Sequence, residues 1–250
     1  MILICKNMEL ILGKLIGKGS DGDVYELGKE KIIKFVQPGI NGFSNYLEAF
    51  IMLYLKNDNI MQADKIEIGK DHLIKFVQER ARGDLSYYIK NKIIKKNEKK
   101  EIINKIILGV SYLHSYGIIH GDLKPSNILI FDNGNIKLSD FSMARLITTD
   151  QKIFQTLYTL LYRPKEISRG EISLKSDIYA LGCIIYEIYY GKKFYNCINK
   201  ELYHVKCSEE NLEENKKLND FILKMLSDDI NQRPTIKEVL NFFNIKKKLS

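Results

Sequence analysis

Cysteine is scarce in this chain, and its few cysteines form no ligand or disulfide pattern. Only four cysteines occur in 250 residues, and no two of them have the C-x-x-C spacing of a metal site. A disulfide framework is not indicated either, because such frameworks belong mainly to small, cysteine-dense secreted domains. We therefore expect an intracellular protein, cytoplasmic or nuclear, in a reducing compartment. The four cysteines are Cys5, Cys183, Cys197 and Cys207.

Long apolar runs are also missing. The most apolar helical stretch, residues 178–190, contains Glu187 and is shorter than the roughly 20 residues that a bilayer requires. Residues 1–12 are interrupted by Lys6 and Glu9 and lack a small-residue cleavage site, so they make a poor signal peptide. The sequence therefore predicts no membrane partner.

Arginine is rare although the chain is basic. The net charge is +8, yet only six of the 39 basic residues are arginine. Nucleic-acid binding would favour clustered arginine with interleaved aromatic residues, and the sequence shows neither. We expect a lysine-rich solvated surface and no nucleic-acid partner, although such a surface still favours acidic or phosphorylated partners. With 45% apolar and 28% charged residues, the composition is that of a soluble globular protein.

A glycine-rich turn lies near the start of the chain. Residues 9–36 alternate apolar and polar side chains around glycines, which predicts three short antiparallel strands. Residues 17–22 have the spacing G-x-G-x-x-G, which lets the backbone approach phosphate oxygens because no Cβ intervenes. A dinucleotide-binding fold would continue with a helix, whereas a strand follows here at Val24. The chain also lacks the G-x-x-x-x-G-K-[ST] of P-loop proteins.

A second polar stretch lies between two apolar runs. Residues 118–119 and 128–130 have the pattern of buried strands, and the loop between them carries chemically active side chains. Such loops between buried strands are often functional. The loop residues are His120, Gly121, Asp122, Leu123, Lys124, Pro125, Ser126 and Asn127.

This loop resembles the catalytic loop H-R-D-L-K-P-x-N of eukaryotic-type protein kinases, with Gly121 in place of the arginine. The glycine-rich turn resembles that family's G-x-G-x-x-G-x-V. Asp-Phe-Ser at residues 140–142 resembles the D-F-G motif, and residues 159–166 resemble the end of the cyclin-dependent-kinase activation segment. Two further resemblances, at residues 176–183 and 231–235, complete the family's order of motifs.

The resemblance implies an α+β fold with two lobes. The N-lobe would be a small, mainly antiparallel β-sheet with one helix, and the C-lobe would be larger and mainly helical. We expect the catalytic domain at residues 9–243, with the N-lobe at 1–79, the hinge at 79–83 and the C-lobe at 84–250. The same resemblance pairs the final acid of the activation segment with the arginine of the last motif, which are Glu166 and Arg233.

The resemblance also implies an ATP site. Lys34 would hold phosphates, oriented by Glu48. Lys31 is a rival for the lysine role, but Lys34 is embedded in the apolar run; Glu48 could instead be a first-turn acid of a helix over residues 44–57. The residues expected to contact ATP are Ile16, Gly17, Lys18, Gly19, Ser20, Asp21, Gly22, Asp23, Val24, Lys34, Glu48, Glu79, Ala81 and Leu129.

For catalysis, the resemblance assigns Asp122 to the substrate hydroxyl and Lys124 to the γ-phosphate. Asn127 and Asp140 would hold Mg²⁺ or Mn²⁺, since amide and carboxylate oxygens suit a hard cation. Lys124 in this position is typical of serine/threonine kinases, so the expected acceptors are Ser or Thr hydroxyls of protein substrates. His120 would be structural, packing near the aromatic residue of the D-F-G-like motif.

Departures from the family pattern leave alternatives open. Gly121 replaces an arginine that binds an activation-segment phosphate in many kinases, and Phe154 stands where cyclin-dependent kinases carry the phosphorylated threonine. We therefore expect activity without activation-segment phosphorylation. Separately, the sequence shows no evident obligate partner. Ser142 in place of glycine removes freedom at positive φ and is expected to restrict movement of Asp140.

Two alternative functions stay open. One alternative is a pseudokinase or scaffold module without turnover; another is a small-molecule or atypical kinase with an H-G-D loop.

Overall fold

The structure is a computed structural model of the full 250-residue chain. It describes residues 12–19, 22–36, 43–69, 73–147, 160–196, 201–202 and 212–246.

A five-stranded sheet forms the N-terminal part, in the order β1-β2-β3-β5-β4 with every neighbouring pair antiparallel. The strands are rich in β-branched and aromatic residues, which suit a half-buried pleated surface. Ile33 and Phe76 are fully buried, and the register of β3 with β5 places them on opposite faces of the sheet. The strands are β1 (Leu15–Gly19), β2 (Gly22–Leu27), β3 (Lys31–Val36), β4 (Ala63–Ile68) and β5 (Ile74–Glu79).

One helix, α1 (Phe43–Tyr54), packs against this sheet. It begins before the predicted residue 44 and ends before residue 57. Leu47, Ile51 and Met52 are buried at helical spacing and direct one face of α1 to the core. Glu48 is on this inner side, 1% exposed, and no acid occupies the first turn, so the alternative interpretation of Glu48 as a first-turn acid is wrong.

The hinge leads from β5 into helical structure. Asp84 caps helix α2 by accepting a hydrogen bond from the Tyr87 amide at 2.8 Å, which satisfies one orphan donor of the first turn. The next helix is long and half-buried, and Gly117, at φ +67°, follows its C-terminal residue. The elements are β6 (Gly83–Asp84), α2 (Leu85–Lys90) and α3 (Lys99–Ser115).

Two small antiparallel ladders, formed mainly by strands after α3, flank the candidate catalytic loop. One pairs β7 with β10, and the other has the order β6-β8-β9. The hairpin between β8 and β9 turns at Gly134, whose φ is +77°. The strands are β7 (Ile118–Ile119), β8 (Ile128–Ile130), β9 (Ile136–Leu138) and β10 (Arg145–Leu146).

The C-terminal part is mainly helical and is built around α4 (Leu174–Tyr190), most of whose side chains are buried. Its start is fixed by a capping box between Ser173 and Ser176. α4 packs on α3 and α5, and α6 packs on α3. None of the described helices is long and apolar enough to cross a membrane. The remaining elements are β11 (Tyr195–Asn196), β12 (Glu201–Leu202), α5 (Leu212–Met225) and α6 (Ile236–Phe242).

The architecture confirms the predicted α+β class. An antiparallel sheet with one helix precedes a mainly helical part, and the two are joined where β5 leads into β6.

Candidate active site

The catalytic-loop candidate is anchored by a carboxylate from outside the loop. Asp177, 2% exposed at the start of α4, accepts hydrogen bonds from the amides of His120 at 2.8 Å and Gly121 at 3.1 Å. The same carboxylate contacts His114 Nε2 at 2.9 Å. A buried acceptor that receives several donors is well satisfied, and it fixes the backbone on which the next side chains stand.

Three predicted residues of the loop form one hydrogen-bonded group. Lys124 Nζ lies 2.5 Å from Asp122 Oδ2. Asn127 Nδ2 donates to the Asp122 carbonyl at 2.9 Å and to Asp122 Oδ2 at 3.2 Å. The Asp122 side chain is 12% exposed, so it reaches solvent while its direction is set by its neighbours. The loop therefore presents an oriented carboxylate beside an ammonium group.

A second group joins three distant parts of the chain. Lys34 Nζ lies 3.3 Å from Glu48 Oε1 and 3.0 Å from Asp140 Oδ1, which links β3, α1 and the segment after β9. The rival Lys31 instead pairs with Asp64 at 3.4 Å, and both of those side chains are half exposed. The structure thus brings Lys34, and not Lys31, together with the other predicted residues.

Asp140 is held in an uncommon backbone conformation. Its φ is +62°, in the left-handed region that few non-glycine residues adopt. The following Phe141 is fully buried, with its ring 5.3 Å from that of His120. Burial alone raises the pKa of the Asp140 carboxyl, but Lys34, with smaller effects of His120 and of a hydrogen bond from Ser142, holds that pKa below its usual value. Asp140 is therefore an anion at neutral pH.

The glycine-rich turn is described in part. Gly17 pairs with Val24, Lys18 with Asp23 and Gly19 with Gly22 across β1 and β2, and Ile16 beside them is 45% exposed. A Cβ on Gly22, whose φ is +132°, would lie 1.9 Å from the Phe35 carbonyl oxygen, so this position requires glycine. The predicted contacts Ser20 and Asp21 lie outside the described residues.

The hinge has a backbone donor that no described backbone acceptor uses. The amides of Arg80 and Arg82 donate to the carbonyls of Glu30 at 2.8 Å and Ile130 at 2.9 Å, whereas Ala81 makes no backbone hydrogen bond with a described residue.

The other expected hinge contacts lie close by. Glu79 pairs through its side chain with Lys137 at 2.7 Å, and Leu129 lies on β8 opposite Asp84.

The end of the activation-segment candidate is tied to the helical part. Glu166 and Arg233 form a bidentate pair with contacts of 2.5 and 2.9 Å. Tyr162 donates a hydrogen bond to Glu187 at 2.6 Å. Phe154, by contrast, lies outside the described residues, as do the neighbouring threonines.

The donor set fits a magnesium ion that also binds nucleotide phosphates. Both described hydrogen bonds of the Asn127 side chain come from Nδ2, so the side-chain carbonyl oxygen Oδ1 is the atom suited to a cation. Asp140 adds an anionic carboxylate that is 19% exposed. No group of three or more acidic, histidine or cysteine ligands occurs among the described residues. Mg²⁺ needs few protein ligands, because water and phosphate oxygens complete its coordination.

Sequence reasoning missed how the site is supported. It placed Asp177 in a family motif without a role, although a carboxylate at the start of an otherwise apolar helix is a signal of a buried acceptor. It also assigned no contact to Ser142 or Lys137. The roles of Asp177 and Lys137 depend on contacts between residues far apart in the chain.

Comparison with known proteins identifies the family. The protein kinase domain model matches residues 10–243. A probable cell division protein kinase of Encephalitozoon cuniculi is 32% identical over 257 residues, covering 92% of this chain and 95% of the relative. A mitogen-activated protein kinase of Candida albicans is 32% identical over 168 residues, covering 66% of this chain and 44% of the relative.

A solved structure, the yeast RNA polymerase II CTD kinase complex, shares the fold. It matches with a TM-score of 0.74 and 19% identity, over 100% of this chain and 98% of that one.

The chain belongs to the protein kinase domain family. Its relatives place it among the eukaryotic-type serine/threonine protein kinases, which are ATP-dependent phosphotransferases.

Proposed function

We propose that this chain transfers the γ-phosphate of ATP to Ser or Thr hydroxyls of proteins, using Asp122, Lys124, Asn127, Asp140 and Lys34 in the roles that the resemblance assigns. The single observation that carries the proposal is the position of Lys34 Nζ, within 3.3 Å of Glu48 and 3.0 Å of Asp140. Phosphoryl transfer depends mainly on positioning and charge stabilisation, and this contact joins the groups that would provide both.

In the proposed reaction, Asp122 and Lys124 act directly on the reacting groups. The Asp122 carboxylate accepts the proton of the substrate hydroxyl as its oxygen forms a bond to the γ-phosphorus. The bond from that phosphorus to the bridging oxygen of ADP breaks, and ADP leaves. Lys124 stabilises charge on the transferred group, while Lys34 binds the remaining phosphates. Mg²⁺, held by Asn127 and Asp140, would neutralise phosphate charge.

Purified protein with radiolabelled ATP and casein or a basic protein tests turnover. We expect labelled phosphoserine or phosphothreonine, and a loss on the order of 10²–10³-fold in Asp140→Asn, as for removal of one preorganised electrostatic contact. Asp64→Asn is the matched control, because Asp64 is half exposed and pairs with Lys31 instead. An Asp140→Asn variant as active as the parent would contradict the roles. Transfer only to an aminoglycoside or choline would favour the small-molecule alternative, and ATP binding without transfer would favour the pseudokinase.

We propose further that activity needs neither activation-segment phosphorylation nor a partner protein. The support is that Glu48 is already buried against Lys34 in the single chain, and that Gly121 offers no guanidinium to a phosphate. Phosphatase treatment should leave activity unchanged. Activity lost on that treatment, with a phosphate mapped to Thr148, Thr149 or Thr156, would contradict the first claim. A requirement for a second chain would contradict the second, and the related yeast kinase was indeed solved as a complex.

We also propose that the catalytic domain spans residues 9–243, divides at the hinge 79–83, and acts inside the cell. Limited proteolysis tests the bounds, since a stable fragment should retain this span.

A further inference from the structure

Gly121 occupies a position that other residues cannot share without movement. Its φ is +81°, and a Cβ built on it would lie 2.5 Å from the carbonyl oxygen of Met143. Carbon and oxygen atoms that are not bonded do not approach this closely, so a larger residue forces one of the two segments to shift. The Gly121 amide is held by Asp177 on the buried helix α4. The segment that carries Met143 is therefore the one that gives way.

That segment is a tight turn directly after Asp140. The Ala144 amide donates to the Phe141 carbonyl at 2.9 Å, and both residues are fully buried. Phe141 and Ala144, the two ends of this turn, are packed in the core. A shift of Met143 therefore also displaces Phe141 and, with it, the backbone of Asp140. Protein interiors are closely packed, so they transmit such a displacement to neighbouring residues and do not absorb it locally.

Ser142 belongs to the same turn and follows Phe141. Its φ is not among the positive values of the described residues, so the turn does not use the freedom that glycine would offer there. A glycine at this position would add that backbone freedom and would loosen the turn next to Asp140.

We propose that Gly121 and Ser142 act together as positioning residues that fix Asp140 for metal binding. Gly121 allows the Met143 carbonyl to rest directly on the catalytic loop, and Ser142 limits the backbone freedom of the turn that follows Asp140. This inference rests on the proposed function and explains how the site stays assembled without a phosphate on the activation segment. Gly121 and Ser142, the two departures from the family pattern, would then together compensate for the missing activation-segment phosphate.

Gly121→Ala compared with Gly134→Ala tests the proposal. Gly134 has a similar φ, +77°, but its added Cβ would meet nothing within 4 Å. Both variants should lose thermal stability, because both place alanine in the left-handed region, and Gly121→Ala should lose more because its Cβ also meets the Met143 carbonyl. Only Gly121→Ala should need more Mg²⁺ for half-maximal rate, by on the order of tenfold, since misplacing a reacting group by about 1 Å costs up to ~10²-fold. Equal Mg²⁺ requirements in the two variants would overturn the proposal.

Two further measurements keep the test decisive. If Gly121→Ala does not fold, Ser142→Gly carries the test: it should raise the Mg²⁺ requirement several-fold relative to Ser142→Ala, which keeps a Cβ, and equal requirements in these two variants overturn the proposal. The Mg²⁺ dependence of thermal stabilisation by ADP is measured in parallel and needs no turnover. A parent protein that transfers no phosphate would refute the proposed function, while this binding measurement would still decide the roles of Gly121 and Ser142.

Discussion

Removing Arg233 alone should destabilise the protein strongly. Its side chain is 0% exposed and that of Glu166 is 5% exposed. Arg233 also donates to the carbonyls of Ser227 at 2.8 Å and Lys175 at 3.1 Å. Arg233→Met keeps much of the apolar volume but leaves a buried carboxylate and two carbonyls without these donors. Breaking a buried pair from one side costs about 3–5 kcal/mol in the free energy of unfolding. For a chain of this size, that corresponds to a fall in Tm of roughly 6–20 °C.

Urea denaturation and calorimetry of a double-mutant cycle measure this cost. Glu166→Leu alone should also destabilise, because it leaves the guanidinium unpaired. The double variant should be more stable than Arg233→Met alone, since removing both partners leaves no buried charge. Lys165→Met is the control: Lys165 pairs with Asp228, and both side chains are more than half exposed, so the expected cost is below about 1 kcal/mol. A cost for Arg233→Met no larger than this control would refute the reasoning.

Three further predictions concern the site and the core. Lys34→Met should lower kcat/KM by about 10²-fold or more, whereas Lys31→Met on the same strand should leave steady-state kinetics nearly unchanged. Burial raises the pKa of Glu187 above that of an exposed glutamate, so between these two values the folded state binds more protons than the unfolded state. Stability should therefore fall as pH rises through the interval between the unfolded and folded pKa values, and Glu187→Gln should flatten that part of a denaturation–pH profile. Gly109→Ala should lower the free energy of unfolding by about 1–3 kcal/mol, because its Cβ would lie 2.8 Å from the Asn59 carbonyl oxygen. A Gly109→Ala variant with the same urea midpoint as the parent protein would contradict this prediction of an overpacked core.

The sequence predicted the fold well because its signals are local. Strand alternation and helical periodicity come from neighbours in the chain, and glycine spacing marked a turn that the structure describes in part. The order of family motifs supplied what periodicity could not, namely which polar residues would meet. Lys34 was favoured over Lys31 because it is embedded in an apolar run, and Lys34 is the lysine that lies beside Glu48.

What the sequence did not predict depends on contacts across the fold. The carboxylate of Asp177 meets the catalytic loop about 55 residues before it in the chain, a separation that no periodicity reveals. Ser142 looked only like the loss of a flexible glycine, because its backbone angle, which is not among the positive φ values, is known only once the turn is folded. Gly121 looked like a missing arginine, and its contact with Met143 comes from the packing of two separate segments.

The anchoring of the catalytic loop by α4 also constrains when the loop can form. A nascent chain that has been synthesised only to residue 173 contains every proposed catalytic and metal-binding residue, yet it lacks the carboxylate that holds the amides of His120 and Gly121. We expect such a chain to fold its N-terminal sheet while the loop still samples other conformations. The chemistry would then arise only after the C-terminal helices dock, so an incomplete kinase does not act on its surroundings during synthesis.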